Sequence, residues 1–144
     1  MSPRQVAALL GGEAVLGRRV GTPLSMADAV ARGLPERSLE RVKESLGLTD
    51  AEMAATLGMS PKTIGRLRAG RSALPPVTSD RLYRLARILA LAQDVFEEAG
   101  AAREWLKLPQ TGLANRVPLE LMTTEAGARE VEDLLGRIEY GVLA

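Results

Sequence analysis

Apolar residues recur at intervals of three and four along most of this 144-residue chain, and alternating apolar–polar runs are scarce. That is the period of amphipathic helices, not of strands. The spacing predicts a first helix from Ser2 and Pro3 to Leu10, ended by Gly11 and Gly12. Residues 11–24 hold four glycines and no clear period, and read as an irregular arm. Ser25 is expected to cap a helix to about Arg32, stopped by Gly33. Pro35 opens another over 36–46, with Leu39, Val42 and Leu46 on one face and Gly47 at its end. The segment 73–77, ALPPV, reads as a rigid extended connector, because adjacent prolines do not continue a helix. Ser79 or Asp80 then caps the longest helix, to about Ala99, with Leu82, Leu85, Ala86, Leu89, Ala92, Val95 and Phe96 in one stripe, broken by Gly100. A short helix carries Ala101, Trp105 and Leu106, a loop follows over 107–116, and Pro118 opens a single turn. Thr123 or Thr124 caps a last helix from Glu125 to about Tyr140, with Ala128, Val131, Leu134, Leu135 and Ile138 inward. Gly141 ends it before an apolar tail. The fold class is all-α.

The stretch 49–70, TDAEMAATLGMSPKTIGRLRAG, organises the rest. Met53, Ala54 and Leu57 share one face of a short helix, and Gly58 suits the left-handed turn that ends it. Ser60 caps the next helix, and Pro61 fits its first turn, where a missing N–H costs nothing. Ile64 and Leu67 point inward, leaving Lys62, Thr63, Arg66 and Arg68 outside. Two short helices, a glycine turn and a basic second helix form the helix-turn-helix pattern that reads DNA. Lys62 and Arg66 are candidates for base edges, and Thr63 for a phosphate or a thymine methyl. Arg68 and Arg71 lie where such a helix leaves the groove, which gives them phosphate roles. One unit reads only a few base pairs, so a homodimer on a two-fold operator is expected. The chain thus divides into an arm (1–24), a helix-turn-helix domain (25–78), and a long connecting helix with a small helical C-terminal domain (79–144).

Composition narrows the chemistry. Neither cysteine nor histidine is present, which removes thiolate chemistry, the usual general base and the commonest metal ligand. No glycine-rich phosphate loop follows a strand, so neither cofactor nor metal is expected and an enzyme is the weakest reading. No apolar run reaches the ~18–20 residues of a membrane span, and the first residues do not read as a signal peptide. A cytoplasmic location follows by default. Net charge is +1, but it is unevenly spread. Residues 60–87 carry Lys62, Arg66, Arg68, Arg71, Arg81, Arg84 and Arg87 against Asp80 alone, and residues 88–144 carry ten acidic groups against five basic. A basic middle and an acidic end suggest two surfaces with different partners. A DNA-binding protein with a second partner at its acidic end, a stand-alone regulator whose C-terminal domain only dimerises, and an enzyme are the competing functions.

One resemblance separates them. The stretch from about Arg32 through Gly70, then SDRLYRLARILALAQDVF, then AAREWLKLPQTGLANRVPLELMTTEAGAREVEDLLGRIEYG, resembles the Xre/MbcA/ParS-type antitoxins. The Trp105-Leu106 pair, Leu113, Pro118-Leu119, the threonines before Gly127, Val131, Leu135 and Gly141 carry it. The resemblance implies a type II antitoxin with a C-terminal toxin-binding domain. Its partner would be a RES-domain toxin, which consumes NAD⁺, and the complex would repress its own promoter. It implies a toxin-facing segment at 129–144, containing Arg129, Glu132, Asp133, Gly136, Arg137, Glu139, Tyr140, Gly141, Val142 and Leu143. Read from residues alone, the acids of that helix are a solvated face and its tail frays; the resemblance reverses that. An acidic helix also complements a pocket that must hold a pyrophosphate with cations. Trp105 and Leu106 are expected in the core.

Overall fold

The computed structural model describes residues 1–70 and 72–141. Nine helices are described: α1 (Pro3–Leu9), α2 (Gly12–Leu16), α3 (Pro23–Arg32), α4 (Glu36–Leu46), α5 (Asp50–Thr56), α6 (Pro61–Gly70), α7 (Pro76–Phe96), α8 (Ala99–Lys107) and α9 (Glu125–Glu139). Two 3-10 turns, Thr111–Leu113 and Pro118–Leu121, link α8 to α9. The fold is all-α, as the spacing predicts; β-pairing among the described residues is confined to isolated bridges, Pro35 with Ala73 and Gln110 with Arg116.

α7 is the spine. It packs against α1, α3, α4, α8 and α9. Leu82, Leu85, Ala86, Leu89 and Ala92 are buried as expected, but so are Ile88 and Ala90 off that stripe. A single stripe understates α7 because it is covered from several sides at once. Each leucine removed from water there contributes about 1.5–3 kcal/mol. One continuous cluster of buried residues runs from Val6 through the helix-turn-helix to Leu135.

Several boundaries differ from the sequence reading. The expected irregular arm contains α2, and Val15 and Val20 are buried. A helix of five residues is too short to display a period. α3 begins at Pro23: Thr22 is the cap, accepting from the Ser25 N–H, and the Ser25 hydroxyl returns the bond at the Thr22 backbone. Ser25 is therefore the third helical residue of a capping box. α7 begins at Pro76, with Pro75 before it, so the second proline starts the helix instead of belonging to a connector. It ends at Phe96, where Glu97 takes a left-handed conformation (φ 61°), and Gly100 lies inside α8.

Ser79 is not a cap either. Fully buried, its hydroxyl accepts from the Leu34 N–H at 2.8 Å and lies 3.3 Å from the Leu74 carbonyl, to which it donates. The Leu74 N–H donates to the Leu34 carbonyl at 2.8 Å, so the chain entering α4 and the chain leaving α6 are stitched together over α7. Gly33 permits that approach: a Cβ there would stand 2.6 Å from the Leu74 oxygen, and φ is +96°. Ser38, also fully buried, donates to the Leu10 carbonyl at 2.6 Å and satisfies the end of α1.

Candidate functional site

The helix-turn-helix is α5 and α6. Thr49 and Glu52 form a capping box at the start of α5: the Thr49 N–H donates to Glu52 at 2.9 Å and the Glu52 N–H to the Thr49 hydroxyl at 3.1 Å. Those bonds hold the Glu52 carboxyl below its ordinary range. Met53, Ala54, Leu57 and Ile64 are buried between the two helices and the core, and Gly58 turns the chain with φ +70°. Ser60 caps α6 by accepting from the Thr63 N–H at 3.2 Å.

The expected DNA-facing residues then separate. Lys62 and Arg66 are exposed on α6, and no carboxylate pairs with either among the described residues. Thr63 is half-buried, its hydroxyl 2.9 Å from Ser60 and 3.5 Å from Arg66. Arg68 departs from its expected phosphate role. Its guanidinium forks onto both oxygens of Asp50, at 3.0 and 2.7 Å, and reaches Glu40 at 2.6 Å. Lys43 closes the network, 2.9 Å from Asp50 and 3.2 Å from Glu40. Arg68 and then Lys43 hold the Asp50 carboxyl far below the usual range; Asp50 in turn raises both cations. Arg68 thus ties α6 to α5 and α4. Arg71 lies outside the described residues.

The rest of the basic block also turns inward. Arg81 donates to the Leu57 carbonyl at 3.0 Å, just before the Gly58 turn. Arg84 pairs with Asp80 and with Glu125 at the start of α9, both at 3.2 Å. Arg87 meets Glu132 of α9 at 2.8 Å and lies 5.8 Å from the Tyr83 ring centre. The basic middle and acidic end are therefore partly each other's partners. Sequence reading missed this clamp, although its signal was present: an excess of arginine on α7 and of carboxylates on α9.

α9 is capped by Thr124, which accepts from the Gly127 N–H at 3.0 Å. Ala128, Val131, Leu134 and Leu135 face the core, and Ile138 is half-buried. Of the expected toxin-facing residues, Glu132 is spent on Arg87, and Arg129 makes an exposed pair with Glu125 at 3.3 Å. Asp133, Glu139, Tyr140 and Gly141 are exposed, and Gly136 and Arg137 half-buried. Tyr140 is 81% exposed. Val142 and Leu143 lie outside the described residues. Leu106 is fully buried, and half-buried Trp105 packs on Phe96 with ring centres 5.5 Å apart, so both serve the core as expected.

Among the described residues, no group of three or more potential metal ligands converges, and no helix is long and apolar enough to cross a membrane. Comparison with known proteins matches both halves of the chain. Residues 25–87 match a family model described as the antitoxin Xre-like helix-turn-helix domain. Residues 91–141 match one described as the antitoxin Xre/MbcA/ParS C-terminal toxin-binding domain. An Antitoxin Xre of Yersinia enterocolitica is 31% identical over 134 residues, 90% of each chain. A Prs ADP-ribosylating antitoxin of a Sphingobium species is 24% identical over 132 residues, 85% of this chain and 83% of that protein. A chain in the crystal structure of the M. tuberculosis MbcT–MbcA toxin–antitoxin complex is similar with TM-score 0.57 and 26% identity, over 76% of this chain and 96% of that one. A helix-turn-helix joined through one core to this C-terminal unit, matched over nine-tenths of a named relative, makes the chain a member of the Xre/MbcA/ParS family of antitoxins.

Proposed function

We propose that this antitoxin neutralises a cognate toxin with the outer face of α9 and the residues after it, and that the same chain binds its own operator through α6. The observation that carries the first part is that α9 keeps a face exposed and without carboxylate or cation partners among the described residues, in a region matched by a toxin-binding domain. Asp133, Gly136, Arg137, Glu139, Tyr140 and Gly141 supply it, beside Arg129, which pairs with Glu125. An exposed tyrosine beside charged groups has the composition of an interface anchor.

The partner is a RES-domain toxin that consumes NAD⁺. The name of the Sphingobium relative supports this reading, because ADP-ribosyl transfer uses NAD⁺. So does charge: a pocket that binds a pyrophosphate is cationic, and Glu130, Asp133 and Glu139 on α9 complement it. Occlusion of that mouth is a binding function and needs no chemistry from this chain.

For DNA, the reading rests on Lys62, Thr63 and Arg66 at the start of α6, with Arg71 contributing a phosphate contact and two copies reading a two-fold operator in the cytoplasm. Electrophoretic mobility shift with the region upstream of the gene tests it. A retarded band that Arg66→Ala weakens supports the reading, and a wild-type chain that leaves the duplex unshifted at low salt contradicts it.

A further inference from the structure

Gly65 is the fifth residue of the ten in α6. A glycine inside a helix costs about 1 kcal/mol relative to alanine. No contact among the described residues repays that cost. Its φ is not in the left-handed region, and a Cβ built there meets no atom of the described residues within 4 Å. Gly127 in α9 is different, since the Leu121 carbonyl occupies the space its side chain would need. Alanine at 65 would therefore suit the isolated chain better than glycine.

The neighbours of Gly65 indicate what glycine serves. Lys62, Gly65, Arg66 and Ala69 are all exposed and lie at steps of three, one and three on the side of α6 opposite buried Ile64. Lys62 and Arg66 have no carboxylate partner among the described residues, while Arg68, on the inner side, is neutralised by Asp50 and Glu40. This face combines unpaired positive charge with two residues that have almost no side chain. Its complement is a polyanion that comes up against the helix backbone. A helix with its side chains is about 10–12 Å across, and the major groove is about 12 Å wide. Every side chain removed from the inserted face lets the axis sit deeper, so that Lys62 and Arg66 reach base edges instead of stopping at phosphates.

We infer that Gly65 is the clearance residue of α6: it lets the helix backbone approach duplex DNA closely enough for Lys62 and Arg66 to touch bases. The inference rests on the DNA-binding reading above and adds to it a residue with no charge and no hydrogen-bonding side chain. Its test uses the full-length protein and a duplex enriched by the wild-type chain from a random-sequence library. Gly65→Ala and Gly65→Leu both keep the fold and melt about 2–4 °C higher than wild type, because each is a better helix former at an open position. Affinity falls in the order Gly, Ala, Leu, by about tenfold or more at leucine. The salt dependence stays unchanged because no charge is altered.

A leucine variant that binds within about twofold of wild type overturns the clearance role. A leucine variant that melts below wild type also overturns it, since the position is then not open. If Arg66→Ala loses affinity while Gly65→Leu does not, the DNA reading stands and only the role of Gly65 falls. If the wild-type chain enriches no sequence, the DNA reading falls and takes this inference with it.

Discussion

Arg66 and Arg68 are two positions apart on α6 and have opposite environments. Arg66 is exposed and pairs with no carboxylate among the described residues, whereas Arg68 is held by Asp50 and Glu40. Arg66→Ala should weaken operator binding by about 1–3 kcal/mol, the worth of a good base contact, and leave the melting temperature unchanged. Arg68→Ala should destabilise the fold by about 0.5–1 kcal/mol, because Asp50 and Glu40 lose the guanidinium and keep only Lys43 in a partly exposed network. Thermal melts and mobility shifts on the two variants separate the roles. The same network sets a pH dependence. The Asp50 carboxyl titrates below its ordinary value of 3.8 in the folded chain. Its contribution to stability is therefore complete above that ordinary value and is lost as pH falls through the lower, folded one. Melting temperature should drop progressively as pH falls below roughly 5, and Asp50→Asn should flatten part of that drop. The type of Arg68 is plain in the sequence, but its partners lie 18 and 28 positions away, and helical spacing does not carry contacts between helices.

At the scale of elements, the helix-turn-helix and α9 were legible because their signals are local. Thr49, Gly58, Ser60 and Thr124 each act within a few residues of their own position. The errors fall where a local rule competed with a contact from elsewhere. Ser79 reads as a helix cap, yet it bridges Leu34 and Leu74, and the helix starts earlier because Pro76 suits its first turn. Ser79→Ala should cost about 1–3 kcal/mol, since it strands the buried Leu34 N–H; urea unfolding would show the lower midpoint. A midpoint equal to wild type would mean that the stitch contributes nothing. In α9 the acids are likewise of two kinds. Glu132 fastens the helix to Arg87, whereas Asp133 faces outward. Glu132→Gln should lower the melting temperature more than Asp133→Asn, and Asp133→Asn should weaken toxin binding more.

At the scale of the molecule, α7 joins the two units into one core, from Val6 to Leu135. The clamp adds polar ties: Arg81 to Leu57 of the helix-turn-helix, Arg84 and Arg87 to α9, and Lys107 to the Gly47 carbonyl at 2.9 Å. Net charge by segment therefore overstated the basic surface available to DNA, because it counts arginines without regard to the carboxylates that fold onto them. The toxin-facing role proposed for α9 rests on family resemblance and not on physics alone; an acidic outer face has no distinguishing geometry until a partner is considered. The central claim is that the outer face of α9 neutralises the toxin while its inner face holds the fold. Co-expression of the adjacent open reading frame with the wild-type chain and with Tyr140→Ala/Asp133→Arg separates the two faces, read as growth rescue beside the melting temperature of the purified antitoxin. The variant is expected to melt like wild type and no longer rescue growth. Full rescue by a variant that folds normally would contradict it.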